Sequence, residues 1–199
     1  MKHLKIILSL FILFMTFSGF FWEEKRKSRI ELNQDKFIEK QKRIQTNNKT
    51  LELLYDYVPI AKTKLLRSYG YATFKNIGAT VLLISYENGQ GMAHNNRNGV
   101  NTYMNMHSGG VGLGLGGKDF YTVFLFKNKR AYNDFINSGW EANAQADAAA
   151  KYDENGMANN GAITIGDGIV VYKFTQDGLL LQATIMGTKY YADEELNKY

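Results

Sequence analysis

The stretch GGVGLGLGGKD, residues 109–119, decides how the rest of the sequence is interpreted. Its glycines fit the dinucleotide-binding pattern G-x-G-x-x-G, and Gly112, Gly117 and Lys118 fit the start of the P-loop pattern. Either kind of phosphate loop needs a helix at its end, because the helix N-terminus holds the anion. Here Asp119 stands where a P-loop requires Ser or Thr, and the β-rich run FYTVFLF follows it. The stretch therefore does not predict a nucleotide site.

The same stretch alternates strictly between apolar residues and glycine, which predicts an extended strand with one apolar face and one bare face. The glycines of the bare face are Gly110, Gly112, Gly114 and Gly116. Each interior glycine weakens a strand by roughly 0.5–1 kcal/mol relative to alanine, so four in register need a reason. We interpret them as sites of close packing by another part of the protein, with a groove for a ligand or lipid as the alternative.

The composition predicts a globular chain. With 199 residues, 45% of them hydrophobic, the chain has room for one domain and an N-terminal appendage. The sequence has no cysteine, which excludes disulfides, thiolate nucleophiles, cysteine-based zinc sites and a lipoprotein anchor. The formal net charge of +5 suggests an anionic partner without choosing between nucleic acid and membrane.

Residues 1–22 have the layout of a targeting segment. Lys2 and Lys5 precede an uncharged apolar run over residues 6–22, as in a secretory signal peptide. Thr16 and Ser18 offer small residues for cleavage, although bulky aromatic residues follow. A retained membrane anchor and a cytosolic protein with an apolar end remain the alternatives. We expect the protein to be exported, either periplasmic or tethered to the membrane by this segment.

Residues 23–50 predict a charged helix. Ile30, Phe37, Ile44 and Leu51 recur every seven residues, which is helical periodicity with a narrow apolar stripe. Residues 23–49 contain nine Lys or Arg and five Asp or Glu. A solvated helix face would explain this excess, and so would contact with anionic lipid headgroups. The best candidates for lipid binding directly follow the apolar run: Lys25, Arg26, Lys27 and Arg29.

Residues 51–199 predict an α+β domain with a largely antiparallel sheet, for which a barrel-like arrangement is one alternative. Pro59 ends the first helix or begins a second one, and Asn128 caps a short helix over residues 129–137. The ENGQG run after Tyr86 reads as a turn, and residues 140–148 alternate as a strand does. Hairpin turns are predicted at Asn98-Gly99, as type I′, and at Asp177-Gly178.

No arrangement of residues predicts catalysis. His94 and His107 are the only histidines after the N-terminal segment, and two at unrelated positions do not define a metal site. The acidic residues are scattered and form no evident catalytic pair. We therefore expect no enzyme activity, no cofactor, no metal, and no nucleotide or nucleic acid as a partner.

Several motifs taken in order resemble the SYLF domain family. They are YVPIAKTKLLRSYGYATF (residues 57–74), GQGMAHN (89–95), TYMNMHSGGVGLGLGGKDFYTVFLFKN (102–128), FINSGWEANAQADAAAK (135–151) and GIVVYKFTQDGLLLQATIMGTKYY (168–191). The likeness extends over roughly residues 51–191 and is nearest to the small secreted bacterial members of the family.

The resemblance implies a lipid-binding module. Eukaryotic members bind phosphoinositide membranes and some bind actin, and their membrane contact is associated with an amphipathic N-terminal segment. The corresponding segment here is the basic stretch after Trp22. The sequence thus predicts a non-enzymatic protein that contacts anionic, phosphoinositide-like headgroups at the bacterial envelope. The alternative is a structural or protein-interaction module without lipid specificity.

Overall fold

The computed structural model describes the backbone of residues 2–141, 162–165, 168–179 and 187–198, and the side chains of these except 2–25, 78–85, 110–118, 141, 163, 165 and 179. The helices in this part of the chain are α1 (Lys2–Tyr57), α2 (Ile60–Arg67), α3 (Lys129–Asn137) and α4 (Glu194–Asn197). The strands are β1 (Gly70–Asn95), β2 (Asn101–Phe126), β3 (Trp140–Glu141), β4 (Ile163–Ile165), β5 (Ile169–Thr175), β6 (Gly178–Leu179) and β7 (Thr188–Ala192).

The chain divides into two compact units, Met1–Gln41 and Lys42–Tyr199. Helix α1 begins in the first unit and ends in the second, so it runs without a break through residues 22 and 50. The segments 1–22, 23–50 and 51–199 differ in sequence character, and their separate roles stay a prediction. The second unit contains the sheet, which confirms the predicted α+β class.

All described strand pairs are antiparallel, as predicted. The order of strands is β3-β7-β2-β5-β4, with β1 paired along β2 and β6 paired with β5. Strand β2 pairs with β7 over residues 104–108 and with β5 over residues 121–126. Among the described strands this path has two ends, so the sheet is open rather than a closed barrel.

Side chains alternate between two cores along β1, β2 and β5. One face packs against α1 and α2, and its buried residues include Leu54, Leu65, Tyr121, Val123 and Tyr172. The other face packs against α3 and against the part of β1 and β2 that includes Ala93 and Met106. Its buried residues include Phe74, Met104, Phe124, Phe135 and Tyr190. Because both faces of the sheet are covered, β5 is buried along its whole length.

The ENGQG run is part of β1 and not a turn, so that prediction is wrong. Strand β1 continues through Gly89 and Gly91, and the first half of the same strand lies against them. A Cβ at Gly91 would overlap the carbonyl oxygen of Thr73 and lie 2.6 Å from the Cδ1 atom of Phe74. Glycine is therefore required here by the close approach of another backbone.

Most local features of the second unit match those predicted from the sequence. Helix α2 follows Pro59, and the Asn128 side chain accepts a hydrogen bond from the Ala131 N–H at the start of α3. Strands β5 and β6 form the hairpin around Asp177-Gly178. The hairpin between β1 and β2 is also present, but the bond from the Asn95 N–H to the Val100 oxygen encloses four residues. A two-residue type I′ turn is therefore wrong for this loop.

Residues 109–117 lie within β2, which confirms the predicted strand. Gly110 pairs with Ser85, Gly114 with Leu82 and Gly116 with Thr80, and the register shifts by one residue near Gly112. Residues 119–126 continue the same strand instead of beginning a helix. The surroundings of the glycine face and the predicted strand over residues 142–148 lie outside the described residues. Close packing of the glycine face therefore stays a prediction.

Candidate functional site

The predicted lipid-binding residues lie on the part of α1 that belongs to the first unit. The side chains of Arg26, Lys27 and Arg29 are all exposed. Lys25 is on the same helix, but its side chain is outside the described residues. Consecutive helical residues point about 100° apart, so these cations spread over much of the helix circumference rather than forming one pocket. They therefore do not converge on one small ligand.

The apolar stripe of α1 changes its surroundings along the helix. Ile30 and Phe37, in the first unit, are 57% and 61% exposed. Ile44 packs beside the buried Met92, Tyr103 and Leu196 of the second unit. Leu51, the next member of the stripe in α1, is buried, and so are Val58, which directly follows α1, and Leu65 of α2. The stripe that anchors the helix in the second unit thus continues as an exposed stripe in the first.

Charges on the exposed segment are separated by sign. Glu31, Asp35 and Glu39 follow at four-residue spacing, so they form one acidic row. At 3.6 residues per turn this row lies opposite Ile30 and Phe37. Leu32 and Ile38 are exposed as well, at the borders of the acidic row. The basic residues nearest to the Ile30–Phe37 stripe on the helical projection are Arg26, Lys27 and Lys40.

Exposed apolar side chains beside basic ones, as found over residues 26–40, are two features that interfacial helices share. Such helices bury their apolar face at the boundary between headgroups and acyl chains while cations contact anionic lipids. The described residues contain no helical stretch both long and apolar enough to cross a bilayer. The apolar residues 6–22 precede the exposed segment, and their side chains are outside the described set.

Within the second unit, Arg43 attaches α1 to the sheet and to the segment before α4. Its side chain is only 5% exposed and donates to the Met104 carbonyl oxygen and to Asp193 Oδ2, both at 2.8 Å. Asp193 also accepts hydrogen bonds from the Leu196 N–H at 3.0 Å and the Asn105 amide at 3.1 Å. The guanidinium thus connects α1 to β2 and to the start of α4.

Electrostatics favour the charged form of Asp193. Burial acts to raise the pKa of this carboxyl, but hydrogen bonds from the Leu196 N–H, Asn105 and Arg43 and the charge of Arg43 outweigh burial. The pKa of Asp193 is therefore lowered from its usual value of 3.8. The contact between Asp193 and Arg43 is a charge-assisted pair at neutral pH.

A groove of about 680 Å³ lies in the second unit between α1 and β1. Three basic residues line it: Lys42 and Arg43 from α1, and Lys75 from β1. The amide side chains of Asn47, Asn88 and Gln90 line it as well. The groove exists because the two halves of β1 approach each other at Gly91 and α1 crosses near this approach.

Lys75 lies where two cavities meet. A second cavity of about 530 Å³ shares Lys75 and Thr46 with the groove and extends along the other side of α1. The Lys75 ammonium is 3.0 Å from Asp119 Oδ2, and each side chain is 38% exposed. This hydrogen bond raises the pKa of Lys75 above its usual value, although burial opposes it. Lys75 therefore stays cationic and accessible from solvent.

The two histidines do not define the site. His94 Nδ1 lies 2.6 Å from Asn101 Oδ1, and the His94 ring packs against Tyr71. His107 packs against Tyr191. Within the described residues, no group of three His, Asp or Glu side chains is placed to bind a metal.

Sequence reasoning found the basic segment but missed the groove. The groove residues come from α1, from residues 73–77 and from residues 86–91. The sequence feature that could have indicated the groove is the pair Gly89 and Gly91, since a glycine inside a strand often marks the close approach of another backbone. Their position after Glu87-Asn88 made them resemble a turn instead.

No model of a known protein family matches this chain. The chain is similar to Beta cell expansion factor A from Aeromonas veronii, with 32% identity over 145 residues. The matched region covers 73% of the chain and 54% of the relative. The chain thus spans about half the length of this curated bacterial protein.

Proposed function

We propose that this chain is a non-enzymatic, SYLF-type lipid-binding protein of the bacterial envelope that contacts anionic, phosphoinositide-like headgroups. The observation that carries the proposal is the exposed segment of α1, where Ile30 and Phe37 lie beside basic residues and opposite an acidic row. The basic set is Lys25, Arg26, Lys27 and Arg29.

The expected energies are sufficient for surface binding. Each Lys or Arg near an anionic membrane contributes about 1 kcal/mol, so four contribute about 4 kcal/mol at low salt. Burying Ile30 and Phe37 adds up to about 1.5–3 kcal/mol for each side chain. Their large exposed fractions leave most of this gain for a membrane.

The bacterial setting and the SYLF assignment have separate support. The motifs over residues 51–191 resemble that family in order, and the matched relative is a protein of Aeromonas veronii. The name of the relative states no ligand, so the choice of lipid depends on the surface of this chain. The basic residues 2 and 5 followed by an apolar run support export or tethering.

The test is co-sedimentation of the full-length protein with vesicles that contain either phosphatidylcholine alone or an anionic phospholipid mixture. Residues 6–22 can insert into both kinds of vesicle, so the difference in partitioning between them measures the contribution of charge to binding. Replacing Lys25, Arg26, Lys27 and Arg29 by Gln should weaken partitioning to anionic vesicles by up to about a thousandfold, since 1.4 kcal/mol is tenfold. Partitioning to neutral vesicles should change little.

A matched control replaces the acidic row, Glu31, Asp35 and Glu39, by Gln. This variant should bind anionic vesicles at least as well as the unchanged protein, because the change removes charge that an anionic surface repels. Equal partitioning of all three proteins to anionic and neutral vesicles would refute the proposal. That result would favour the alternative, a structural or protein-interaction module whose α1 segment packs on a protein.

A further inference from the structure

We propose that the groove between α1 and β1 binds the phosphate-bearing headgroup of a lipid. The groove lies wholly in the second unit, and none of the residues that line it belongs to the first unit. Its volume of about 680 Å³ is within the range of about 300–1,000 Å³ for small-ligand pockets. The inference depends on the proposed function only in taking a lipid, rather than free phosphate, as the source of the anion.

The charges of the groove select an anion. The charged side chains that line it are all basic: Lys42, Arg43 and Lys75. Asp193, which pairs with Arg43, and Asp119, which pairs with Lys75, do not line the groove. An ammonium has three N–H donors, so Lys75 can bond Asp119 and still donate to a phosphate oxygen.

Neutral donors surround the same space. The side chains of Asn88 and Gln90 are exposed along the groove, and each amide carries two N–H donors. Charge-assisted hydrogen bonds to phosphate oxygens are about twice as strong as neutral ones, so the lysines would position the phosphate. The amides can then bond the remaining oxygens or hydroxyls of the headgroup.

The rim of the groove points to a lipid. Ile77 and Tyr86 line it and are 65% and 55% exposed. A free phosphate gains nothing from contact with apolar side chains, whereas the acyl chain attached to a lipid headgroup can pack on them. Tyrosine is suited to such a boundary because it combines an apolar ring with a polar hydroxyl.

The experiment titrates the full-length protein with dihexanoyl phosphatidylglycerol below its micelle concentration, followed by calorimetry. We expect saturable binding that Lys75→Gln weakens about tenfold, as for loss of one charged hydrogen bond. Gln90→Glu should weaken it similarly by repulsion. Lys127→Gln is the matched control, since Lys127 is exposed and lines neither cavity. Residues 6–22 are identical in all variants, so any binding by that segment cancels.

Both groove variants change exposed or half-exposed side chains, and thermal unfolding verifies that they remain folded. No binding by the unchanged protein, or equal binding by all four proteins, would overturn the inference. Titrations with inorganic phosphate and glycerol 3-phosphate identify the source of the anion. If either binds as tightly as the lipid, the assignment to a lipid is wrong.

The outcomes separate this inference from the proposed function. Monomeric lipid offers no charged surface, so its binding does not depend on Arg26, Lys27 and Arg29. If the titration shows no binding but vesicle binding depends on charge, lipid binding in the groove is refuted and the surface contact of α1 is not. Failure of vesicle binding together with a Lys75-dependent titration would refute the surface contact alone.

Discussion

The close approach of the two halves of β1 predicts a large and specific cost for adding one methyl group. In Gly91→Ala, the new Cβ would overlap the Thr73 carbonyl oxygen and lie 2.6 Å and 2.9 Å from the Cδ1 and Cγ atoms of Phe74. Real Cβ atoms do not come this close, and the obstacle is backbone together with a ring that is 1% exposed. The strand must therefore move, and overpacking of this kind costs about 3 kcal/mol.

Gly109→Ala is the matched control, because it makes the same change in the same ribbon of strands. A Cβ at Gly109 has no atom within 4 Å among those described. This variant should be equally stable or more stable by up to about 1 kcal/mol, since glycine weakens a strand. Urea unfolding of the full-length protein measures both. Equal stability of Gly91→Ala and Gly109→Ala would refute the close approach of the two halves of β1.

Three further predictions concern the attachment of α1 and the caps. Arg43→Ala should destabilise the protein by about 3 kcal/mol in urea unfolding, because it leaves Asp193 without its buried partner; a loss below about 0.5 kcal/mol would contradict the bridge. Asp193 has a lowered folded pKa, so its contribution is present above the unfolded value of 3.8 and is lost as pH falls through the folded value. Urea midpoints of the unchanged protein should therefore fall more between pH 5 and 2 than those of Asp193→Asn, and parallel curves would refute this. Asn128→Ala should cost about 1 kcal/mol, whereas Asn128→Ser should keep most of the stability, and equal losses in both would argue against the cap at α3.

The features that sequence predicted well are those determined by neighbouring residues. Asn128 caps α3 because its own side chain reaches the Ala131 N–H, and Gly178 closes the β5–β6 hairpin with a φ of 144°. Pro59 precedes α2 because its fixed φ suits the first turn of a helix. Each of these needs only a few residues of context.

The features that sequence missed depend on contacts between distant residues. Gly89 and Gly91 are in a strand because residues 73–76 lie against them, and nothing adjacent in the sequence records this contact. Arg43 reaches Asp193, which is 150 residues away along the chain. The groove follows from both contacts and was therefore hidden from a pattern-based interpretation.

The proposed binding surface on α1 could be predicted from the sequence only in part. Lys25, Arg26, Lys27 and Arg29 stood out because like charges cluster in the sequence. The seven-residue stripe was also visible, but its division into buried and exposed halves was not. Ile30 and Leu51 have the same periodic position, and only tertiary packing makes the first exposed and the second buried.

The most direct measurement of the central claim is the depth of two spin labels on α1. The chain has no cysteine, so Gln34→Cys and Asp35→Cys each give one labelling site. Gln34 lies on the face of Ile30 and Phe37, and Asp35 lies in the acidic row on the opposite face. With anionic vesicles, the label at 34 should lose access to a water-soluble nickel complex and gain access to oxygen, while the label at 35 stays in water. Equal exposure of both labels to nickel, with and without vesicles, would contradict the proposed contact between α1 and the membrane.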